Sequence, residues 1–135
     1  MKTRLAGLGL LLGMAGVAAG GTVAAAERTD ARAQSRGRLA GTVWMRTSPA
    51  TPAGSFRIFL GEGTAVTGSC TETYRLDRWR MASASRLTLS EDGVTIPVQV
   101  AFTGGELRLR LRLRDGGTRE ERFRPARVPY LCPQR

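Results

Sequence analysis

From Leu39 onward, apolar and polar residues alternate in short runs separated by glycine-rich turns, the pattern of β-strands rather than helices. The segment "RLTLSEDGVTIPVQVAF" tests this reading. A two-residue turn at Asp92-Gly93 pairs Leu89 with Ile96 and Leu87 with Val98, and Asp-Gly is a favoured type I′ hairpin turn. A second turn, at Gly104-Gly105, pairs Phe102 with Leu107, Val100 with Leu109, Val98 with Leu111 and Ile96 with Leu113. Both turns place the same residues on one inner face. A one-residue slip would reverse every side chain, so their agreement predicts three consecutive antiparallel strands. Pro97 falls on the outer face, where its missing N–H predicts a bulge or a local break in pairing.

The same pattern extends in both directions. A three-residue turn at Gly61-Glu62-Gly63 in "FRIFLGEGTAV" matches Ile58 with Val66, and "LAGTVWM" supplies a first strand. A three-residue loop around Gly117 sets Leu111 against Phe123 and Arg114 against Glu120. Strands are expected near 39–46, 55–60, 64–76, 78–83, 86–91, 94–103, 106–114 and 119–124. The predicted fold class is all-β, a small antiparallel meander barrel, since closure removes exposed edges. A sandwich of two sheets is the alternative. An outer-membrane barrel does not fit, because Arg108, Arg110, Arg112 and Arg114 would face lipid.

The stretch "SCTETYRLDRWR", residues 69–80, concentrates unusual residues. On a continuous strand Cys70, Glu72, Tyr74 and Leu76 share one face. A tight turn at Asp77-Arg78 then opposes Leu76 to Trp79 and Tyr74 to Met81. Glu72 and Tyr74 at a barrel mouth suggest a ligand-recognition pair, for a buried carboxylate needs a partner. A glutamate at the rim, reaching water or an arginine, is the alternative. The predicted interior is lined by Phe56, Ile58, Tyr74, Trp79, Val98 and Leu109.

The N-terminal residues follow another pattern. Lys2 and Arg4 precede an apolar run from Leu5 to about Ala19, and Ala24-Ala25-Ala26 offers a small-residue cleavage site, the layout of a secretory signal peptide over residues 1–26. A membrane span needs roughly 20 apolar residues, which this glycine-broken run fits poorly. Residues 27–38, "ERTDARAQSRGR", lack an apolar period and read as a mobile basic arm. The domain is then 39–135, ending in a C-terminal strap. Export meets an oxidising compartment, secreted or periplasmic, so Cys70 and Cys132, the only two cysteines, are expected to form a disulfide. It would close a loop of about 60 residues, worth roughly 4 kcal/mol in the chain-entropy model. Pro129 and Pro133 keep the strap extended, with Tyr130 and Leu131 covering one end or wall of the barrel.

The strands and turns of "LAGTVW", "FRIFLGEGTAV", "TYRLDRWRM" and the later hairpins resemble those of small secreted bacterial lipocalin-like domains, a group that includes META-type barrels. The resemblance spans roughly residues 39–124, is one of layout, and implies a small antiparallel β-barrel.

The chain of 135 residues carries a formal charge of +10, and every basic residue after Lys2 is arginine. The absence of lysine after Lys2 points to compositional bias more than to function. Histidine is also absent, which removes Ser-His-Asp and Cys-His nucleophilic sites and the commonest zinc ligand. No phosphate-binding glycine motif occurs. Adjacent acids in "ED" and "EE" point to opposite faces of a strand. No enzyme, metal or cofactor is therefore expected. The ladder "LRLRLRLR" projects Arg108, Arg110, Arg112 and Arg114 from one face at about 6.6 to 6.8 Å spacing, a stripe suited to an anionic envelope surface. A soluble outer face supported by Glu120 and Glu121 is the plainer reading. Export and the lack of stacking aromatics argue against nucleic acid. The function expected is non-enzymatic binding of a small apolar or amphipathic ligand, the alternative being docking to an anionic surface or protein partner through the Arg stripe.

Overall fold

The computed structural model describes residues 20–48, 52–127, 129 and 131–132. It contains a helix, α1 (Gly20–Leu39), followed by eight strands: β1 (Val43–Arg46), β2 (Phe56–Phe59), β3 (Thr64–Gly68), β4 (Arg75–Ser83), β5 (Arg86–Glu91), β6 (Val94–Thr103), β7 (Glu106–Arg112) and β8 (Thr118–Pro125). Each strand pairs with the next, and β8 returns to β1 in an antiparallel ladder. The fold is thus the expected all-β meander, closed as a barrel rather than split into a sandwich.

The two tight hairpins form with the expected register. Leu89 faces Ile96 and Leu87 faces Val98. Phe102 faces Leu107, Val100 faces Leu109 and Val98 faces Leu111. Asp92 and Gly93 both adopt positive φ, as do Gly104 and Gly105, which is the type I′ requirement. Pro97 breaks the sheet on one side only. Its neighbours continue the ladder to β5 through Thr88, whereas pairing with β7 stops at Val98–Leu111. In an antiparallel ladder the N–H groups alternate between neighbours. Pro97 occupies the position whose N–H would have pointed at β7.

Three strand placements differ from expectation. The β7–β8 turn is Arg114-Asp115-Gly116, closed by a 2.9 Å bond from Leu113 N–H to the Gly117 carbonyl. Asp115 Oδ1 accepts the Gly117 N–H, and Gly116 takes the left-handed φ that an L residue resists. This turn sets Leu107 against Phe123 and Arg110 against Glu120. The partner is displaced by an even number of residues, so the face is kept. Glu121 moves to a position opposite Leu109, inside the barrel.

Asp77-Arg78 is not a turn. Arg78 is a poor residue for the second positive φ of a type I′ turn, and β4 runs straight through, pairing Leu76 with Val66 and Asp77 with Ala65. The chain reverses earlier, in the loop 69–74, where the Ser69 hydroxyl accepts the N–H groups of Thr71 and Glu72. In β2, Ile58 does face Val66, but both look outward. The inward pair is Phe59 with Ala65, both fully buried.

Residues 27–38 are helical rather than a mobile arm. Ala, Arg, Gln and Glu are strong helix formers and carry α1 without an apolar stripe. Most of its surface stays in water, which is why no apolar period marks it. Only the last turn docks: Leu39 is fully buried, and Gly41 at positive φ ends the helix. The Leu39 carbonyl accepts the Trp44 indole N–H at 3.0 Å. Arg36 lies over Trp79, 4.9 Å from the ring centre, and bonds the Gly61 carbonyl; Arg38 lies over Phe102 at 4.1 Å. This turn therefore caps one end of the barrel. Residues 1–19 of the expected signal segment lie outside the described residues, and 20–26 begin α1.

Beneath the cap the interior is solid. Phe59, Leu87, Leu89, Val98, Leu107, Leu109 and Leu111 are buried from several strands at once. Phe59 meets Trp79 edge-on, 5.2 Å between ring centres. Arg108, Arg110 and Arg112 alternate with the inward leucines and are exposed. Leu109→Ala should therefore cost about 2–5 kcal/mol as a buried truncation. Arg110→Ala should cost under about 1 kcal/mol, the scale of an exposed ion pair. Urea denaturation of the two variants checks this; equal losses would contradict the register.

Candidate functional site

The end of the barrel opposite α1 is chemically different. There the inward position nearest the rim of several strands is charged: Arg46 on β1, Arg57 on β2, Arg75 and Asp77 on β4, Glu91 on β5, Arg119 and Glu121 on β8. These side chains form a chain of ion pairs across the mouth. Asp77 meets Arg75 at 3.8 Å, and Arg75 meets Glu91 at 3.8 Å. Glu91 meets Arg57 at 3.4 Å, and Arg57 meets Glu121 at 3.9 Å. Glu121 also holds Arg46 at 3.5 Å and Arg119 at 3.0 Å.

The members differ in burial. Arg57 and Glu121 are almost completely covered, their side chains 5% and 2% exposed, whereas Arg75 is 54% exposed. A buried charge needs its hydrogen bonds filled. For Arg57 they are not: Nη2 donates to Glu91 at 3.4 Å, while Nε and Nη1 meet no acceptor among the described residues. The Thr67 hydroxyl is likewise unpaired there. Burial pulls the Arg46 guanidinium below its ordinary pKa; Glu121 opposes that shift, and the like charges of Arg119 and Arg57 add to it.

Above this layer lies a cavity of about 380 Å³. Arg57, Thr67, Glu121 and Phe123 are among the strand residues lining it, and Pro52, Ser55, Glu72 and Thr73 belong to its loop walls. The Cys70–Cys132 disulfide is formed, with the Cα atoms 5.7 Å apart, and ties the tail to the loop that bears Glu72 and Thr73. Cys70 N–H also bonds the Ala53 carbonyl, joining that loop to the β1–β2 connection. A Cβ on Gly68 would lie 2.9 Å from the Phe56 ring, so glycine is what lets this ring cover the root of the loop. Leu131, expected to cover a wall, is exposed, and Tyr130 and Pro133 lie outside the described residues.

The residues singled out in the sequence are distributed as follows. Trp79, Val98 and Leu109 point inward but are packed in the core rather than around a void. Phe56 and Ile58 alternate with the inward Arg57 and Phe59; Phe56 borders the mouth cavity at the start of β2 but Ile58 does not, so the expected six-residue lining does not assemble. Glu72 and Tyr74 sit on the mouth loop, not on a strand's inner face; Tyr74 is 68% exposed, while Glu72 lines the cavity. Arg114 leaves the Arg ladder for the β7–β8 turn. The outer stripe is interleaved with acids: Arg108 pairs with Glu106, and Arg110 with Glu120. Glu121, expected to support that stripe, is inside.

Arg46, Arg57, Arg75, Glu91 and Glu121 were not evident as a group. Their signal is a charged residue at the inward position next to one barrel end, visible only once each strand's face and register are known.

The buried pair yields a stability prediction. Glu121→Gln leaves Arg57 and Arg46 without their shared carboxylate and should destabilise the fold by about 3 kcal/mol, as for breaking a buried ion pair. Glu120→Gln, on the outer face, should cost under about 1 kcal/mol. Denaturation midpoints of the two variants distinguish them; equal effects would place Glu121 outside the core. Reduction of the disulfide, which spans 62 residues, should remove about 4 kcal/mol in the same assay.

No helix among the described residues is long and apolar enough to cross a membrane. No protein-family model and no curated protein matches the chain.

Proposed function

We propose that this chain is an exported, lipocalin-like barrel that works by binding, not catalysis, and that its ligand is a small amphipathic molecule held at the charged mouth. The observation that carries the reading is the cavity of about 380 Å³ over the inner charge layer. Its size falls within the ordinary range of small-molecule sites, about 300–1,000 Å³. Its walls mix apolar surface from Phe123 and Pro52 with polar groups from Arg57, Thr67 and Glu121. The opposite end is capped by Leu39, and the interior between is filled by leucine and aromatic side chains. A purely apolar ligand deep in the barrel has less support than an amphipathic one at the mouth.

The lipocalin-like and META-type reading is supported by the closed antiparallel meander of eight strands. Export rests on the signal-like N-terminus and on the disulfide, a form that persists in secreted or periplasmic surroundings. Docking through the outer arginines has weaker support, because Glu106 and Glu120 neutralise part of the stripe.

The test is to titrate the mature, oxidised protein with hexanol and with hexanoate while following backbone amide resonances. Saturable shifts should cluster at Ser55, Thr67 and Thr73 and weaken with Thr73→Trp, which narrows the mouth. Shifts confined to Arg108–Arg112, together with binding to anionic vesicles that Arg108→Gln, Arg110→Gln and Arg112→Gln abolish, would replace this reading with surface docking.

A further inference from the structure

The chemistry of the mouth narrows the ligand class. Arg57 is the centre of the argument. Its side chain is nine-tenths buried or more, yet two of its three nitrogens find no acceptor in the described protein. An uncompensated guanidinium is costly to bury, and neighbouring side chains normally fill its donors. Here the acidic partners, Glu91 and Glu121, both approach through Nη2, at 3.4 and 3.9 Å. Nε and Nη1 are unpartnered and covered, and the residue lines the cavity. Thr67, one strand away on β3, lines the same cavity with a hydroxyl that also lacks a partner among the described residues.

Charge limits the ligand. The ion-paired network holds Arg46, Arg57, Arg75 and Arg119 against Asp77, Glu91 and Glu121. Arg75, Arg119 and the loop residue Glu72 are exposed, so water screens all three alike. Among the network members less than a tenth exposed, Arg57 is the one cation, and Glu121 lies beside it. A dianion such as a phosphate monoester would be repelled by Glu121 more strongly than a single carboxylate.

We propose that the mouth cavity binds a small monocarboxylate, its oxygens accepting from Arg57 and the Thr67 hydroxyl and its apolar part lying against Phe123 and Phe56. Hydrogen bonds from a guanidinium to a carboxylate are about twice as strong as neutral ones. Burial beneath the loop 69–74 keeps them from salt. The disulfide holds that loop, and so the roof of the site, in place. This inference rests on the mouth cavity being the binding site, and the experiment separates the two claims.

Isothermal titration of the oxidised chain compares hexanoate with hexanamide, which has the same shape and no charge. Hexanoate should bind at least about tenfold tighter, a difference of about 1.4 kcal/mol. That preference should change little between low and physiological salt. Arg57→Gln should abolish it, and Arg108→Gln should leave it intact. The preference is read on the unaltered protein, so the result stands even where Arg57→Gln folds poorly. Equal affinity for the two probes, both blocked by Thr73→Trp, would overturn the carboxylate assignment and keep the cavity as the site. A preference that collapses with salt and with Arg108→Gln would assign the anion to the outer stripe and overturn it as well. Binding of neither probe would overturn both claims.

Discussion

The edge-on contact of Phe59 with Trp79 decides what the mouth of this barrel contains. With ring centres 5.2 Å apart, it turns Phe59 into the core. Such a pair adds about 0.5–1.5 kcal/mol beyond the burial of its surface. Strand side chains alternate, so Arg57 must then also point inward and Phe56 and Ile58 must point out. The opposite choice would bury Phe56 and Ile58 and place Arg57 in water. One packing preference at the capped end thus commits a guanidinium to the other end, two residues away along β2.

That commitment organises the rest of the charged layer. A buried guanidinium stays ionised under all ordinary conditions, so the fold must supply carboxylates. Glu91 arrives from β5 and Glu121 from β8, and Glu121 is shared with Arg46 and Arg119. The β7–β8 turn makes this possible. Closure through Asp115 and Gly116 places Glu121 opposite Leu109, deep enough to reach Arg57 across the barrel. Several of these ion pairs are long, 3.8 to 3.9 Å, and leave donors open. Buried ion pairs of this kind add little net stability. Their layer keeps the mouth polar, whereas the leucines beneath exclude water.

The two ends of the barrel are secured by different means. At one end, α1 contributes a single buried leucine and two arginines stacked on aromatic rings, so a helix with no apolar stripe still docks. At the other, Cys70–Cys132 ties the loop 69–74 to the tail, and that loop also bonds the β1–β2 connection. The capped end is packed and the stapled end holds the cavity. A covalent link can hold a loop over open space, where there is no apolar core to hold it by burial.

Residues 86–112 declared their own structure. Asp92-Gly93 and Gly104-Gly105 are local turn signals, and between them the leucines and valines agree on one face, so pairing follows from neighbours in sequence. The strand number, the barrel class and the cysteine pairing were legible for similar reasons. In "FRIF", by contrast, either face carries an aromatic residue, and only contact with Trp79 on β4 selects Phe59. In "TYRLDRWRM" the alternation continues through Asp77 whether or not the chain turns there, and pairing with β3 decides. The helix over 27–38 left no apolar period because one turn alone touches the barrel. The charged mouth was hidden for the same physical reason. Its members come from five strands, and a side chain's face is set locally only where a turn or a strong alternation fixes it. Elsewhere closure of the barrel chooses, because each strand must match two neighbours at once.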